Sequence, residues 1–258
     1  MVTTSLANER VKYARSLHRE RARTREKRFL IEGTRSVQEA LQAGVRPVLA
    51  FFTGRLRESR QGAELLSRLE QAADCLMEVS PEVMASMSDT VTPQGVLAVV
   101  PTPELPWPAH GLVVILDSLR DPGNAGTILR SAWAAGAAGL ATSKGTVDPY
   151  APKVARAAMG AHFHLPVRAG LSAGELARLT CGRRLILADQ AGTPYWEIDW
   201  RGDVALVIGG EARGAEVTEG LAEARAAIPM VAGAESLNAA IAAAVLLFEA
   251  VRQRAQNP

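Results

Sequence analysis

The sequence predicts an α/β protein in two parts, a smaller N-terminal α/β domain and a larger C-terminal domain built on a parallel sheet. Three observations carry this expectation. From position 111 onward, near-continuous apolar runs alternate with helical patterns, as strands buried on both faces require. Upstream, shorter apolar runs alternate with helical patterns and stop near Val100. Between the two, PTPELPWPAHG packs four prolines into a span with neither strand nor helix periodicity. The expected organisation is one domain over residues 1–100, a linker over 101–110 and a second domain over 111–258.

The chain opens with a basic segment. Between Met1 and Arg28, nine Lys and Arg face three Glu, a local charge of +6 in a chain that totals +2. Such a segment is either a solvated helix face or a polyanion contact, since each phosphate neutralised by Lys or Arg releases condensed counterions. FLIEG then reads as a strand, SVQEALQAG as a helix with a glycine cap, PVLAFF as a strand and GAELLSRLEQAA as a helix, followed by the apolar CLMEVS and GVLAVV. Past the linker, LVVILD, GLATS, FHLPV, RLILAD, VALVIGG and AAIPM read as strands. Helices are expected over about 123–135, APKVARAAMG, AGELARL and about 236–254. In the last of these Leu237, Ile241, Val245, Phe248 and Val251 share a stripe, for which core packing is the expected use.

Composition excludes several classes. With 258 residues, 48% hydrophobic and 22% charged, the chain has the balance of a soluble globular protein. No apolar run approaches the roughly 20 residues that span a bilayer, and the start lacks a signal-peptide core, so no membrane partner and a cytoplasmic location are expected. Cys75 and Cys181 stand far apart, and the pair His162 and His164 has no further ligand nearby; neither a disulfide framework nor a metal site is expected.

Function is expected where strands of an open parallel sheet end. Three turns there are chemically unusual. DPGNAGTILRSA places Gly123, Asn124 and Gly126 at a helix start and Arg130 about two turns on, so that free N–H groups and a guanidinium can border one groove and favour an anion. VALVIGGEARG sets paired glycines before Glu211, which either lets backbone approach a ligand closely or leaves the carboxylate to cap a helix. AAIPMVAGAESLNAAIAAAVLLFEAV places Ser236 and Asn238 at the mouth of an apolar helix, with an N-cap role for Ser236 as the plain structural reading.

Together, and in this order, these three segments resemble the motifs of the SpoU (TrmH) branch of the SPOUT superfamily of RNA ribose 2′-O-methyltransferases. NERVKYARSLHRERARTREKRFLIEGTRSVQEAL resembles the N-terminal substrate-binding domain of the rRNA-modifying members. The resemblance implies a C-terminal domain with a deep trefoil knot, a ribosomal-protein L30e-like N-terminal domain, S-adenosylmethionine as cofactor, RNA (23S rRNA above transfer RNA) as substrate, and a homodimer through the C-terminal domain. It assigns catalysis to Asn124, Arg130, Glu211, Ser236 and Asn238, and cofactor binding to Leu187, Ala188, Gly209, Ile228, Met230 and Leu237. The basic residues Arg10, Lys12, Arg19, Arg21, Arg23, Arg25, Arg28 and Arg35 would then contact RNA.

Two rival classes fit less well. A dinucleotide-dependent oxidoreductase would carry G-x-G-x-x-G, whereas the turn offers only G-x-x-G, and GLATSKG supplies no acid for a ribose. A non-catalytic RNA-binding relative would be expected to lose motif side chains, and here Asn124, Arg130, Glu211, Ser236 and Asn238 are all present.

Overall fold

The computed structural model describes residues 2–90, 92–210, 214–232 and 235–256. It divides into two compact units, Met1–Pro103 with Tyr150–His164, and Glu104–Pro149 with Leu165–Pro258.

The first unit is a four-stranded mixed sheet of β1 (Arg28–Glu32), β2 (Leu49–Phe52), β3 (Leu76–Glu78) and β4 (Val96–Pro101), in the order β1-β4-β2-β3. Strand alternation sends side chains to two faces, and both are covered. Phe29, Ile31, Ala50, Phe52, Val96, Ala98 and Val100 pack with helices α3 (Thr34–Gln42) and α4 (Arg60–Ala72). Leu30, Leu49, Phe51, Leu97 and Val99 pack with α1 (Glu9–Ser16) and α5 (Pro81–Met87). The segment Tyr150–His164 belongs here because Ala155, on helix α7 (Pro152–Ala158), and Phe163 fill the first of these cores, while His162 packs against the Phe29 ring at 5.5 Å. The basic segment forms α1 and α2 (Glu20–Glu26), which end at Leu17 and at a left-handed Lys27 (φ 49°). Helix α5 was not among the elements expected, although Ser80 caps it and Pro81 opens it, a usual helix start.

The second unit carries a six-stranded sheet of β5 (Leu112–Asp117), β6 (Gly139–Ser143), β7 (Val167–Leu171), β8 (Arg184–Pro194), β9 (Val204–Gly209) and β10 (Ala224–Ala227). Its order is β10-β8-β9-β5-β6-β7 and every pairing is parallel. Val113, Ile115, Ala205 and Val207 lie in one core with Leu176 of α8 (Ala173–Leu179); the alternate residues Val114, Leu116, Leu206 and Ile208 are buried on the opposite face. The chain runs outward from β5 to β7 and then returns to the other side of β5. The carboxyl ends of β5 and β9, paired at Asp117 and Gly209, therefore sit at a topological switch.

Three sequence expectations are corrected here. FHLPV is not one strand: Phe163 ends a 3-10 turn of the first unit, Ala161–Phe163, and β7 starts only at Val167, after Pro166. The strand expected at AAIPM ends at Ala227. The last helix, α9 (Ala239–Gln256), buries Ala239, Ala240, Ala243, Leu246, Leu247 and Ala250, whereas Leu237 (39%), Ile241 (55%) and Phe248 (51%) are exposed. The expected core stripe therefore lies partly outward, with Val245 and Val251 half-buried along it. The alanines let α9 approach α6 (Pro122–Ala134) and β9 closely, so the buried face is made of small side chains together with Leu246 and Leu247. No helix among the described residues is long and apolar enough to cross a membrane.

Candidate active site

The site is built at the carboxyl ends of β5, β8 and β9, and glycine backbone makes its floor. A Cβ on Gly209 would lie 2.6 Å from the Gly214 carbonyl carbon, and one on Gly210 would lie 2.5 Å from the Ser118 oxygen. Neither position admits a side chain. Gly210 and Gly214 exchange two backbone hydrogen bonds of 2.9 Å, closing the loop on itself. Glu211, expected to act at this turn, lies outside the described residues.

Beneath that floor is a group the sequence reading did not single out. Asp117, at the end of β5, has no exposed surface, and five donors converge on its carboxylate. Oδ1 accepts from the hydroxyls of Ser118 (3.1 Å) and Ser143 (2.8 Å). Oδ2 accepts from the Val217 N–H (2.9 Å), the Thr218 N–H (2.7 Å) and the Thr218 hydroxyl (2.7 Å). One buried acid thus ties the ends of β5 and β6 to the segment that follows β9. The only sequence signal was an acid closing an apolar run, and three of its five donors come from residues about 100 positions away.

Above the floor lies a cavity of about 200 Å³. Five of the residues expected to bind a cofactor line it: Ala188, Gly209, Ile228, Met230 and Leu237. Leu187 does not; it is 4% exposed and packs in the sheet core, so of that pair only Ala188 reaches the cavity. Ile208 and Leu246 extend the apolar wall, and Ser236, Asp189 and Gln190 supply polar side chains. Sequence reading missed the last two, because only their spatial approach to Gly209 and Ile228, residues distant along the chain, marks them as part of the site.

The first and third motifs meet directly. Asn238 Nδ2 donates to Asn124 Oδ1 at 2.9 Å, while its own Oδ1 accepts from the N–H groups of Ala240 (2.9 Å) and Ile241 (3.3 Å). Asn238, not Ser236, therefore caps α9, and Ser236 is left to face the cavity. The anion expected at the start of α6 is supplied internally, since Asp121 Oδ1 accepts the Asn124 N–H at 2.6 Å. Arg130 sits on α6 two turns from that start. It is exposed, does not line the cavity, and has no ion-pair or hydrogen-bond partner among the described residues.

The basic residues divide as well. Arg10, Arg19 and Arg21 are exposed; Lys12, Arg25 and Arg35 are exposed and paired with Glu9, Glu26 and Glu39. Such surface pairs are weak enough for a phosphate to displace the carboxylate. Arg28 is partly buried and donates to the Tyr13 hydroxyl at 3.0 Å. Arg23 is a correction: it is 6% exposed, and its guanidinium donates to the carbonyls of Leu17 (2.8 Å) and His18 (2.9 Å). Its charge closes the end of α1 and is not presented to a partner. No cluster of three or more metal-ligating side chains occurs among the described residues.

Comparison with known proteins places this chain among relatives. The profile of the SpoU rRNA Methylase family matches residues 111–248, and that of the MRM3-like substrate binding domain matches residues 8–98. An uncharacterized tRNA/rRNA methyltransferase of Synechocystis is 38% identical, over 97% of this chain and 93% of its own. The 23S rRNA (guanosine(2553)-2′-O)-methyltransferase RlmP of Bacillus subtilis is 35% identical, over 95% and 96%. Among solved structures, an AdoMet-bound rRNA methyltransferase from Sinorhizobium meliloti superposes with a TM-score of 0.84 at 31% identity, covering 98% of this chain and 97% of that one.

Proposed function

The chain belongs to the SpoU rRNA methylase family, and from that membership we propose that it methylates a ribose 2′-hydroxyl of large-subunit ribosomal RNA with S-adenosylmethionine. The observation that carries this is the convergence of the second and third motif segments on one glycine-floored cavity, to which the first segment is tied by the hydrogen bond between Asn238 and Asn124. The cavity suits the cofactor chemically: its floor is closely packed backbone, its walls are apolar, and a few polar side chains stand on its rim. Ala188, Gly209, Ile228, Met230 and Leu237 would hold the cofactor, which supplies an electrophilic methyl group when bound.

The remaining chemistry falls to this chain's side chains. A ribose hydroxyl is a weak nucleophile and has to be oriented while its proton is lost. A guanidinium stays charged at neutral pH, so Arg130 is placed to grip the phosphate next to the reacting ribose and to offset charge developing on the oxygen. Asn124 and Asn238 fix the helix starts that frame the reacting groups, and Ser236 presents a hydroxyl to the cavity. Glu211 is assigned to the same centre on its motif alone. Methyl transfer from labelled cofactor to 23S rRNA, with the modified ribose mapped, tests the proposal; exclusive labelling of transfer RNA would redirect it.

The same reading extends to architecture. A knot in the C-terminal domain is supported by two segments that return to the sheet's carboxyl edge, the one after β9 held by Asp117 and the one after β10 held where Gln190 donates to the Glu235 carbonyl at 2.6 Å. The mixed sheet covered on both faces is compatible with an L30e-like substrate domain. A homodimer is supported by the exposed Ile241 and Phe248 of α9 and by the exposed Arg130, which has no partner among the described residues, on the neighbouring helix. Phe248→Asp is expected to give a monomer by sedimentation, with methyl transfer lost and cofactor affinity kept; an unchanged dimer would place the interface elsewhere.

In RNA binding, Arg19, Arg21 and Arg25 are the informative set, because Arg23 is structural. Replacing all three by glutamine is expected to make the slope of log K against log salt shallower by about 2, at roughly 0.7 per phosphate contact on single-stranded RNA. A titration series across salt concentrations measures it directly, and an unaltered slope would remove this segment from the RNA interface.

A further inference from the structure

Among the described residues, Asp189 is the one ionisable side chain lining the cavity. It stands on β8, its side chain is 25% exposed, and Oδ1 accepts the Ala191 N–H at 3.0 Å. Oδ2 pairs with Arg225, whose other nitrogen reaches Glu219 Oε1 at 3.1 Å. Arg225 and Glu219 stand outside the cavity wall. The Ala191 N–H and then the Arg225 guanidinium hold the Asp189 carboxyl below its ordinary value, so it is ionised at neutral pH. One guanidinium shared by two carboxylates leaves the triad with a net negative charge, and the member that faces the cavity is a carboxylate.

The ligand of this cavity changes charge during its own reaction cycle. The cofactor enters as a sulfonium cation; once its methyl group has gone, the electron pair of the broken S–C bond remains on sulfur and the product is a neutral thioether of nearly the same shape. Apolar walls and glycine backbone cannot distinguish the two, but a fixed negative charge can. We propose that Asp189 is the charge-selective group of the cavity, favouring the cationic cofactor over its thioether product and so promoting exchange after each turnover. The proposal rests on the family reading of the cavity, and Arg225 is its counterweight, offsetting part of the charge that Asp189 presents.

Calorimetric titration of the whole protein with S-adenosylmethionine and, separately, S-adenosylhomocysteine tests this without any turnover. In Asp189→Asn, which keeps an acceptor for the Ala191 N–H, affinity for the sulfonium is expected to fall about fivefold and affinity for the thioether to change less than about twofold, the effect of one screened charge. Arg225→Gln is expected to move the ratio of the two affinities in the opposite direction. Because each ratio is taken on one folded protein, a general loss of stability cancels. Equal loss for both ligands in Asp189→Asn would overturn the proposal and leave the family reading intact, whereas a wild-type protein that binds neither ligand would overturn both.

Discussion

Arg130→Ala is expected to lower methyl transfer by about 10²- to 10³-fold, the scale for removing one charged group that acts at the transition state, while leaving the dissociation constant for S-adenosylmethionine within about twofold. The structure separates the two effects, since Arg130 is exposed on α6 and contributes nothing to the lining of the cavity. Arg130→Lys is expected to recover only a small part of the rate, because an ammonium cannot engage a phosphate through two parallel hydrogen bonds. Single-turnover rates beside calorimetric affinities provide the measurement. Equal losses in both would mean that Arg130 shapes the cavity, contrary to its position.

Asp117→Ala is expected to be the most damaging single change to the fold of the second unit. The variant would leave five donors without the acceptor they share. Each buried donor left unpaired costs about 1–3 kcal/mol, so together they amount to a large share of a domain's stability. The segment at Val217 and Thr218 would lose its anchor, and with it the Gly210–Gly214 floor of the cavity, so cofactor affinity is expected to fall together with the unfolding midpoint. Asp117→Asn keeps one acceptor oxygen but turns an amide N–H toward other donors, and should lie between alanine and wild type. Denaturant unfolding with a parallel cofactor titration checks both variants. Wild-type stability in the alanine variant would refute the anchoring role.

Near-continuous apolar runs at β5 and β9 and the helical periods between strands disclosed an α/β chain, because burial on both faces leaves a local mark on composition. Paired glycines at 209 and 210 announced a place where backbone comes close to backbone, and the coordinates show Gly214 and Ser118 as what they meet. Local signals also misled. The stripe through Ile241 and Phe248 has the same period whether it faces the chain's own core or a second molecule, and sequence alone cannot tell these apart. Arg23 looks like its neighbours in a basic run, yet its burial against two carbonyls depends on where α1 ends.

By itself, then, the sequence determined the class of fold, the three motif turns and the family, since each is written in residues close together along the chain. Only the tertiary structure decided that Asn124 meets Asn238, that Asp117 holds Thr218, that Asp189 faces the cavity and that Arg130 stays outside it. The physical reason is that hydrogen bonds and charge pairing depend on distance in space, and partners about 100 residues apart leave no periodic trace by which either could be recognised from the other.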